Sequence, residues 1–125
     1  MTSRKFSWKA RGASFSFAFR GIVAFFRTEH NARLHGGLTA SALLLSFFLY
    51  ISKTEFILIL IAITLVWITE IINTAIEKSM DFISTEKHPQ IALVKDLAAA
   101  AVLVSAVAAF LIGTIVFLPK ILNYV

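Results

Sequence analysis

A long apolar run that ends in a stripe of acidic side chains constrains this chain more than any other feature. The run from Phe56 to Thr69 carries no charge. Three carboxylates and an amide follow it, and they are Glu70, Asn73, Glu77 and Asp81. At about 100° per residue, this acidic stripe occupies an arc of roughly 80° on one helix face. Because carboxylates are costly at membrane depth and mark functional sites there, the stripe predicts a site for a cation and its ligand.

The composition indicates a membrane protein. Of the 125 residues, 58% are hydrophobic, whereas soluble domains have about 45–50%. The length favours a single domain. The absence of Cys excludes a disulfide framework, a thiolate nucleophile and a Cys-based metal site. The net charge is +5, and beside such apolar segments it favours anionic lipid headgroups over nucleic acid as the partner.

The N-terminal residues 1–32 differ from the rest of the chain. They alternate aromatic side chains with basic ones, which are Arg4, Lys5, Lys9, Arg11, Arg20 and Arg27. The apolar runs between these charges are too short to cross a bilayer. They predict an amphipathic helix or helix pair on the membrane surface, with a flexible basic tail as the alternative. Residues 33–125 form the predicted three-span core.

The pattern of apolar segments in this core predicts an all-α membrane protein. Its first span runs from Leu34 to Ile51, and a four-residue turn at 52–55 connects it to the second in an antiparallel hairpin. The second span begins at Phe56 and continues to about Phe82. The third helix begins at Pro89, where the missing N–H costs nothing. It is expected to end at about Leu118, because Pro119 follows.

The distribution of Lys and Arg predicts the orientation. Ten of them lie either in the segment through Arg33 or around the connection between the second and third spans. On the opposite side, only Lys53 and Lys120 remain. We therefore predict a protein of the inner (cytoplasmic) membrane whose N-terminus and 77–96 loop are cytoplasmic and whose C-terminus is outside. The ionisable residues of interest, Glu29 included, then lie on the cytoplasmic side.

The residues on that side suit phosphoryl transfer to a lipid. Carboxylate and amide oxygens suit Mg²⁺, and Lys95 can hold a phosphate group. Glu70 is the deepest carboxylate, where desolvation disfavours its charged form and makes it a usable general base. A lipid hydroxyl would reach this base from the membrane while a magnesium nucleotide approaches from the cytoplasm.

The residues alone leave other functions open. The chain has no Walker A motif, no G-x-G-x-x-G motif and no protein-kinase catalytic motif. A small proton- or cation-coupled transporter explains an intramembrane Glu equally well, and a structural or regulatory membrane protein is a third alternative. Taken singly, Asp81 fits a solvated helix end and His88 a helix start. His30 and His35 are interpreted as interfacial, with no assigned role.

The run from Glu70 to Asp81 resembles the signature of the small prokaryotic membrane lipid kinases, the diacylglycerol kinase and undecaprenol kinase family. The resemblance extends to Glu29 with Arg33, to Lys95-Asp96 with the Ala-rich stretch that follows, and to the three-span layout. It covers about residues 15–120. It implies an ATP- and magnesium-dependent lipid kinase that forms a homotrimer, with active sites shared between neighbouring subunits.

The resemblance also implies a role for individual residues. Glu70 would be the catalytic base, with Asn73 orienting the substrate or Glu70 itself. Glu29 and Glu77 would be the magnesium ligands. The implied nucleotide contacts are Phe17, Glu29, Glu77, Glu86, His88, Lys95 and Asp96, with Arg11 and Arg20 as further candidates. The implied substrate contacts are Arg33, Glu70 and Ala99.

Three less specific features of the sequence indicate which lipid is phosphorylated. The stretch 29–35, the pair His88-Pro89 and the tail 112–120 resemble the undecaprenol kinase branch more than the diacylglycerol kinase branch. Undecaprenol is therefore the expected acceptor, and diacylglycerol, whose phosphorylation makes phosphatidic acid, is the alternative.

Overall fold

The computed structural model describes residues 6–124, so that Arg4 and Lys5 of the basic segment lie outside it. The described part contains four helices: α1 Trp8–Thr28, α2 His30–Phe48, α3 Lys53–Ile83 and α4 Pro89–Leu122. The all-α prediction is therefore confirmed. Within residues 6–124, α3 and α4 are the helices long and apolar enough to cross a membrane. The predicted first span, which corresponds to α2, is not apolar enough to be included with them, because the first turns of α2 are polar.

A single extended residue, Glu29, separates α1 from α2, with φ −105° and ψ 122°. Arg33 reaches back across this break, and its Nε and Nη2 donate to the carbonyl oxygens of Phe26 and Arg27, both at 3.4 Å. Arg33 thus pairs carbonyl groups that the end of α1 leaves without helical partners. The Glu29 carboxylate makes no capping bond to α2, so it is available to another helix.

The turn between α2 and α3 lies three residues earlier than predicted. Helix α2 ends at Phe48, and Tyr50 follows with φ 49°, in the left-handed region. A residue in this conformation commonly terminates a helix. The N–H of Glu55 donates to Ser52 Oγ at 3.2 Å, and the N–H of Ser52 donates to Glu55 Oε2 at 2.6 Å. The prediction of a turn at 52–55 was wrong because Ser-x-x-Glu is a capping box, which begins a helix.

Replacing Ser52 by Ala should lower the free energy of unfolding by about 1 kcal/mol, because the N–H of Glu55 then loses its acceptor. The measurement is reversible unfolding in mixed detergent micelles. Ser41→Ala is the matched control, since that exposed hydroxyl donates only to the Gly37 carbonyl of its own helix. Equal stability of the Ser52 variant and the wild type would contradict the capping role.

Helix α4 continues through Pro119 to Leu122, so the prediction that Pro119 ends it was wrong. A proline removes one helical N–H and crowds one carbonyl. In the last turn this affects a single bond, and the N–H of Asn123 still donates to the Pro119 carbonyl at 3.3 Å. Membrane helices also tolerate proline where local adjustments satisfy the freed carbonyl.

Helices α3 and α4 pack antiparallel and more extensively than the other helix pairs of residues 6–124. Polar contacts join them at three levels: Glu55 Oε2 to Lys120 Nζ at 3.3 Å, Thr69 Oγ1 to Ser105 Oγ at 2.8 Å, and Asp81 Oδ1 to Lys95 Nζ at 2.5 Å. The ionic levels are about 39 Å apart along α3, whereas a hydrocarbon core is about 30 Å thick. The charges can therefore lie at the two membrane surfaces, with the neutral contact between them.

Candidate active site

Glu70 is buried where α2 crosses α3, with 4% of its surface exposed. Its Oε1 lies 2.7 Å from His35 Nε2. About one turn away, Trp67 Nε1 donates to Thr39 Oγ1 at 2.9 Å. Glu70 lies about 16 Å along the helix axis from Asp81 at the polar end of α3. The structure thus places the predicted base inside the apolar part of the helix, as the sequence indicates.

An aromatic cluster covers this crossing. The Trp67 ring lies 6.0 Å from the Phe25 ring and 5.2 Å from the Phe26 ring, measured between centroids. A Cβ at Gly36 would lie 3.4 Å from Phe26 Cε1, so glycine at this position gives the Phe26 ring room against α2. Because Phe25 is buried, the cluster closes this side of the Glu70 environment with apolar surface.

His35 is a residue of the site that the sequence interpretation missed. It was interpreted as interfacial with no role, yet it supplies the side-chain partner of Glu70 within residues 6–124. The two residues are 35 positions apart. The sequence did offer one signal: His35 is a titratable side chain on α2, and a short turn folds α2 back against α3. That turn shows that the two helices meet, but it does not show which of their side chains are in contact.

Glu29 approaches α3 through an ion pair. Its Oε1 lies 3.0 Å from Lys78 Nζ and accepts a bond from Thr28 Oγ1 at 3.2 Å. The hydrogen bond from Lys78 is the main reason that the pKa of Glu29 lies below its usual value. Lys78 is the residue after Glu77, the second predicted magnesium ligand. Glu29 therefore lies at about the same height along α3 as Glu77.

Magnesium at this level would need a nucleotide to complete its set of ligands. In residues 6–124 there is no group of three or more Asp, Glu, His or Cys side chains placed to hold a metal alone. Mg²⁺ is, however, commonly held by one or two carboxylates together with substrate phosphates. Glu29 already faces a cation, the Lys78 ammonium. Glu29 and Glu77 can therefore hold Mg²⁺ only with further oxygen ligands from outside the chain.

A cavity of about 570 Å³ lies at the connection between α3 and α4. Its lining includes three of the predicted nucleotide contacts, Glu86, His88 and Lys95, together with Asp81. His88 Nδ1 also accepts from the N–H of Gln90 at 3.2 Å and caps α4. The remaining predicted contacts are elsewhere, with Asp96 exposed on α4 and outside this lining.

Phe17 and Ala99 are also exposed. Phe17 lies on α1 with the Arg20 guanidinium 4.7 Å from its ring centroid. Arg33, a predicted substrate contact, lies instead on the carbonyls at the end of α1. The structure therefore brings Glu70 to His35 and Glu29 to Lys78, the residue after Glu77. It does not bring Phe17, Arg33 or Ala99 into either contact.

Asn73 has an unusual environment on the acidic stripe. Its Oδ1 is buried without a hydrogen-bond partner in the described part of the chain. It lines a cavity of about 370 Å³ between α3 and α4 beside Ala98. A buried carbonyl oxygen without a donor costs free energy, so this position favours a donor from outside the single chain.

An apolar groove of about 380 Å³ begins beside the site. It lies between α2, α3 and α4, with His35 at one end and Ile59 and Phe117 at the other. Its remaining lining is almost entirely apolar, and Val66 and Trp67 contribute to it one turn before Glu70. From the level of Glu70 to that of Ile59 the distance along α3 is about 16 Å. The groove is thus long enough for one extended hydrocarbon chain, and it ends at His35, the partner of Glu70.

The sequence of this chain is similar to those of known kinases. The prokaryotic diacylglycerol kinase family matches residues 16–117. The undecaprenol kinase of Bacillus subtilis (strain 168) is 39% identical over 108 residues, which cover 86% of this chain and 88% of that protein. The diacylglycerol kinase of Synechocystis is 30% identical over 124 residues, covering 96% and 71%. That of Escherichia coli (strain K12) is 30% identical over 93 residues, covering 74% and 76%. The chain therefore belongs to the prokaryotic diacylglycerol kinase family of membrane proteins and is a lipid kinase, a phosphotransferase.

Proposed function

We propose that this lipid kinase transfers the γ-phosphate of ATP to the hydroxyl of undecaprenol at the cytoplasmic face of the membrane. The observation that carries this proposal is the apolar groove that ends at His35, whose Nε2 lies 2.7 Å from Glu70. The 39% identity to an undecaprenol kinase, against 30% for two diacylglycerol kinases, supports the choice of lipid. Diacylglycerol is the alternative acceptor, and family membership leaves no reason to retain the transporter alternative.

The shape of the groove favours a single-chain lipid. At about 380 Å³ and about 16 Å of helix length, it holds the hydroxyl-bearing end of one chain. Undecaprenol has one polyisoprenoid chain, whereas diacylglycerol has two acyl chains that leave the glycerol together. The rest of the long polyprenyl chain would lie in the bilayer beyond the groove.

The chemistry follows from the positions of the carboxylates. Glu70 takes the proton of the lipid hydroxyl as the oxygen attacks the γ-phosphorus and ADP leaves. Glu29 and Glu77 would hold the Mg²⁺ that accompanies ATP, and the bound ion neutralises charge on the phosphates. Lys95, with Glu86 and His88, would contact the nucleotide in the cavity at the α3–α4 connection. Four further roles are proposed only because the sequence resembles the family. Phe17 and Asp96 would contact the nucleotide, and Arg33 and Ala99 would contact the lipid substrate.

We propose a homotrimer in which a neighbouring subunit completes each site. The buried Oδ1 of Asn73, which has no partner within residues 6–124, supports a hydrogen-bond donor from outside the single chain. In the membrane, α2 would be the remaining span, antiparallel to α3. Helix α1 would lie on the cytoplasmic surface, since its aromatic side chains other than the buried Phe25 are exposed, Phe17 included.

Replacing Lys95 by Met should raise the KM for ATP by about 10–100-fold, because a charge-assisted contact to phosphate is lost. The kcat should change much less. Lys120→Met is the matched control, since Lys120 forms the corresponding ion pair with Glu55 at the opposite end of the helix pair. Steady-state kinetics in mixed micelles would measure both constants. An unchanged KM for ATP in the Lys95 variant would remove Lys95 from the nucleotide site.

The choice of lipid can be tested with purified protein in mixed micelles that contain Mg-ATP. Undecaprenol and diacylglycerol are offered at equal mole fractions, and transfer of labelled phosphate into each lipid is followed. We expect kcat/KM for undecaprenol to exceed that for diacylglycerol by about 10-fold or more, a difference of about 1.4 kcal/mol. A preference for diacylglycerol would overturn the proposed acceptor.

The groove itself can be tested in the same assay. Ala106→Leu adds bulk inside the groove and should raise the KM for undecaprenol without changing the KM for ATP. Ala100→Leu makes the same change at an exposed position of α4 outside the groove lining and serves as the control. Equal lipid kinetics in the two variants would show that the chain binds elsewhere.

A further inference from the structure

The Glu70 carboxylate has an asymmetric environment. Its side chain is 6% exposed and that of His35 is 18% exposed, and Oε1 lies 2.7 Å from His35 Nε2. Within residues 6–124, Oε2 makes no hydrogen bond, and it is not among the buried polar atoms that lack a partner. One oxygen is therefore held by the imidazole while the other remains open to a substrate.

The direction of the hydrogen bond follows from the two groups. An ionised carboxylate only accepts hydrogen bonds, so a charged Glu70 requires the proton to be on His35 Nε2. A neutral imidazole with its proton on Nε2 satisfies this requirement. A buried carboxylate without such a donor would be costly, and His35 is the side-chain donor that the described part of the chain provides.

Neighbouring contacts restrict where His35 can point. Trp67 donates to Thr39 about one turn further along α2, which sets the position of α2 along α3. The Phe26 ring packs at Gly36, the residue after His35. A side chain held by its packing and by hydrogen bonds can orient a reacting group closely enough for catalysis.

We propose that His35 is a positioning residue for the base: its Nε2–H holds Oε1 of Glu70 so that Oε2 faces the lipid hydroxyl. This inference rests on the proposed function of the site. In the reaction, the O–H bond of the lipid breaks and the proton goes to Oε2. The lipid oxygen bonds to the γ-phosphorus, and the bond from that phosphorus to the leaving ADP oxygen breaks. The proton on Nε2 stays in place throughout.

Two variants of His35 separate hydrogen bonding from packing. His35→Ala should lower kcat by about 10–100-fold while the KM for ATP stays at the wild-type value. His35→Gln places a neutral amide N–H donor on the same backbone position and should recover much of the loss. Added imidazole should also raise the kcat of His35→Ala. The control is His30→Ala, which removes an exposed histidine of the same helix.

A second measurement is independent of turnover. In protein labelled with ¹⁵N at histidine, the His35 signal should show a protonated Nε2 and an unprotonated Nδ1. Glu70→Gln should shift the His35 signal and leave those of His30 and His88 in place. Glu55→Gln, the same change at the other end of α3, should move none of them.

The outcomes distinguish this inference from the proposed function. Wild-type kcat in His35→Ala would overturn the positioning role. Equal losses in the Ala and Gln variants without rescue by imidazole, or an unprotonated Nε2, would overturn it as well. A wild-type protein that prefers another lipid would overturn the proposed acceptor instead, and the kinetics of the His35 variants on that lipid would then decide the positioning role.

Discussion

Replacing Glu70 by Gln is expected to lower kcat for lipid phosphorylation by about 10²–10⁴-fold, the usual contribution of a general base. The amide keeps the shape of the side chain but cannot take the proton of the lipid hydroxyl. Its carbonyl oxygen can still accept a hydrogen bond from His35 Nε2, which lies 2.7 Å from Oε1 in the wild type. The variant should therefore fold and assemble like the wild type, and the KM for ATP should remain close to its original value.

The matched control for this variant is Glu55→Gln. It makes the same chemical change on the same helix, at the end where Glu55 pairs with Lys120. A glutamine can also replace glutamate in a capping box, so the start of α3 is kept. Phosphate transfer in mixed micelles and size-exclusion chromatography would measure activity and assembly. Turnover near the wild-type rate in Glu70→Gln would remove Glu70 from the base role.

Replacing Glu77 by Gln is expected to raise the Mg²⁺ concentration for half-maximal activity by about 10–100-fold, because one of two proposed anionic ligands is lost. At saturating magnesium much of the activity should return. Glu29→Gln should shift the magnesium requirement in the same direction, although it also removes the acceptor of the Lys78 ion pair. The two effects should combine less than additively if both carboxylates hold the same ion.

Titration of activity with MgCl₂ at fixed ATP measures this requirement. Binding of Mn²⁺ in the presence of a non-hydrolysable nucleotide gives a readout that does not depend on turnover. Glu55→Gln again controls for the loss of one negative charge on α3. A magnesium titration that superimposes on that of the wild type would contradict the ligand role of Glu77.

The sequence predicted much of the fold because the relevant signals are local. The apolar run after Phe56, the polar stretch before Pro89 and the helical spacing of the acidic stripe each depend on neighbouring residues. They correctly indicated a long helix that contains the acidic stripe, α3, and the start of α4 at Pro89. The errors were also local: Ser52 and Glu55 form a capping box rather than a turn, and Pro119 lies within the last turn of α4.

The sequence by itself determined which residue types are available, how the helices are ordered and which face carries the carboxylates, since helix periodicity and hydrophobicity are properties of short segments. The tertiary structure decided which side chains meet. His35 reaches Glu70 across 35 positions, and Glu29 reaches Lys78 from the break between α1 and α2. Such contacts depend on how far one helix is displaced along another, and that displacement is set by the packing of many side chains together.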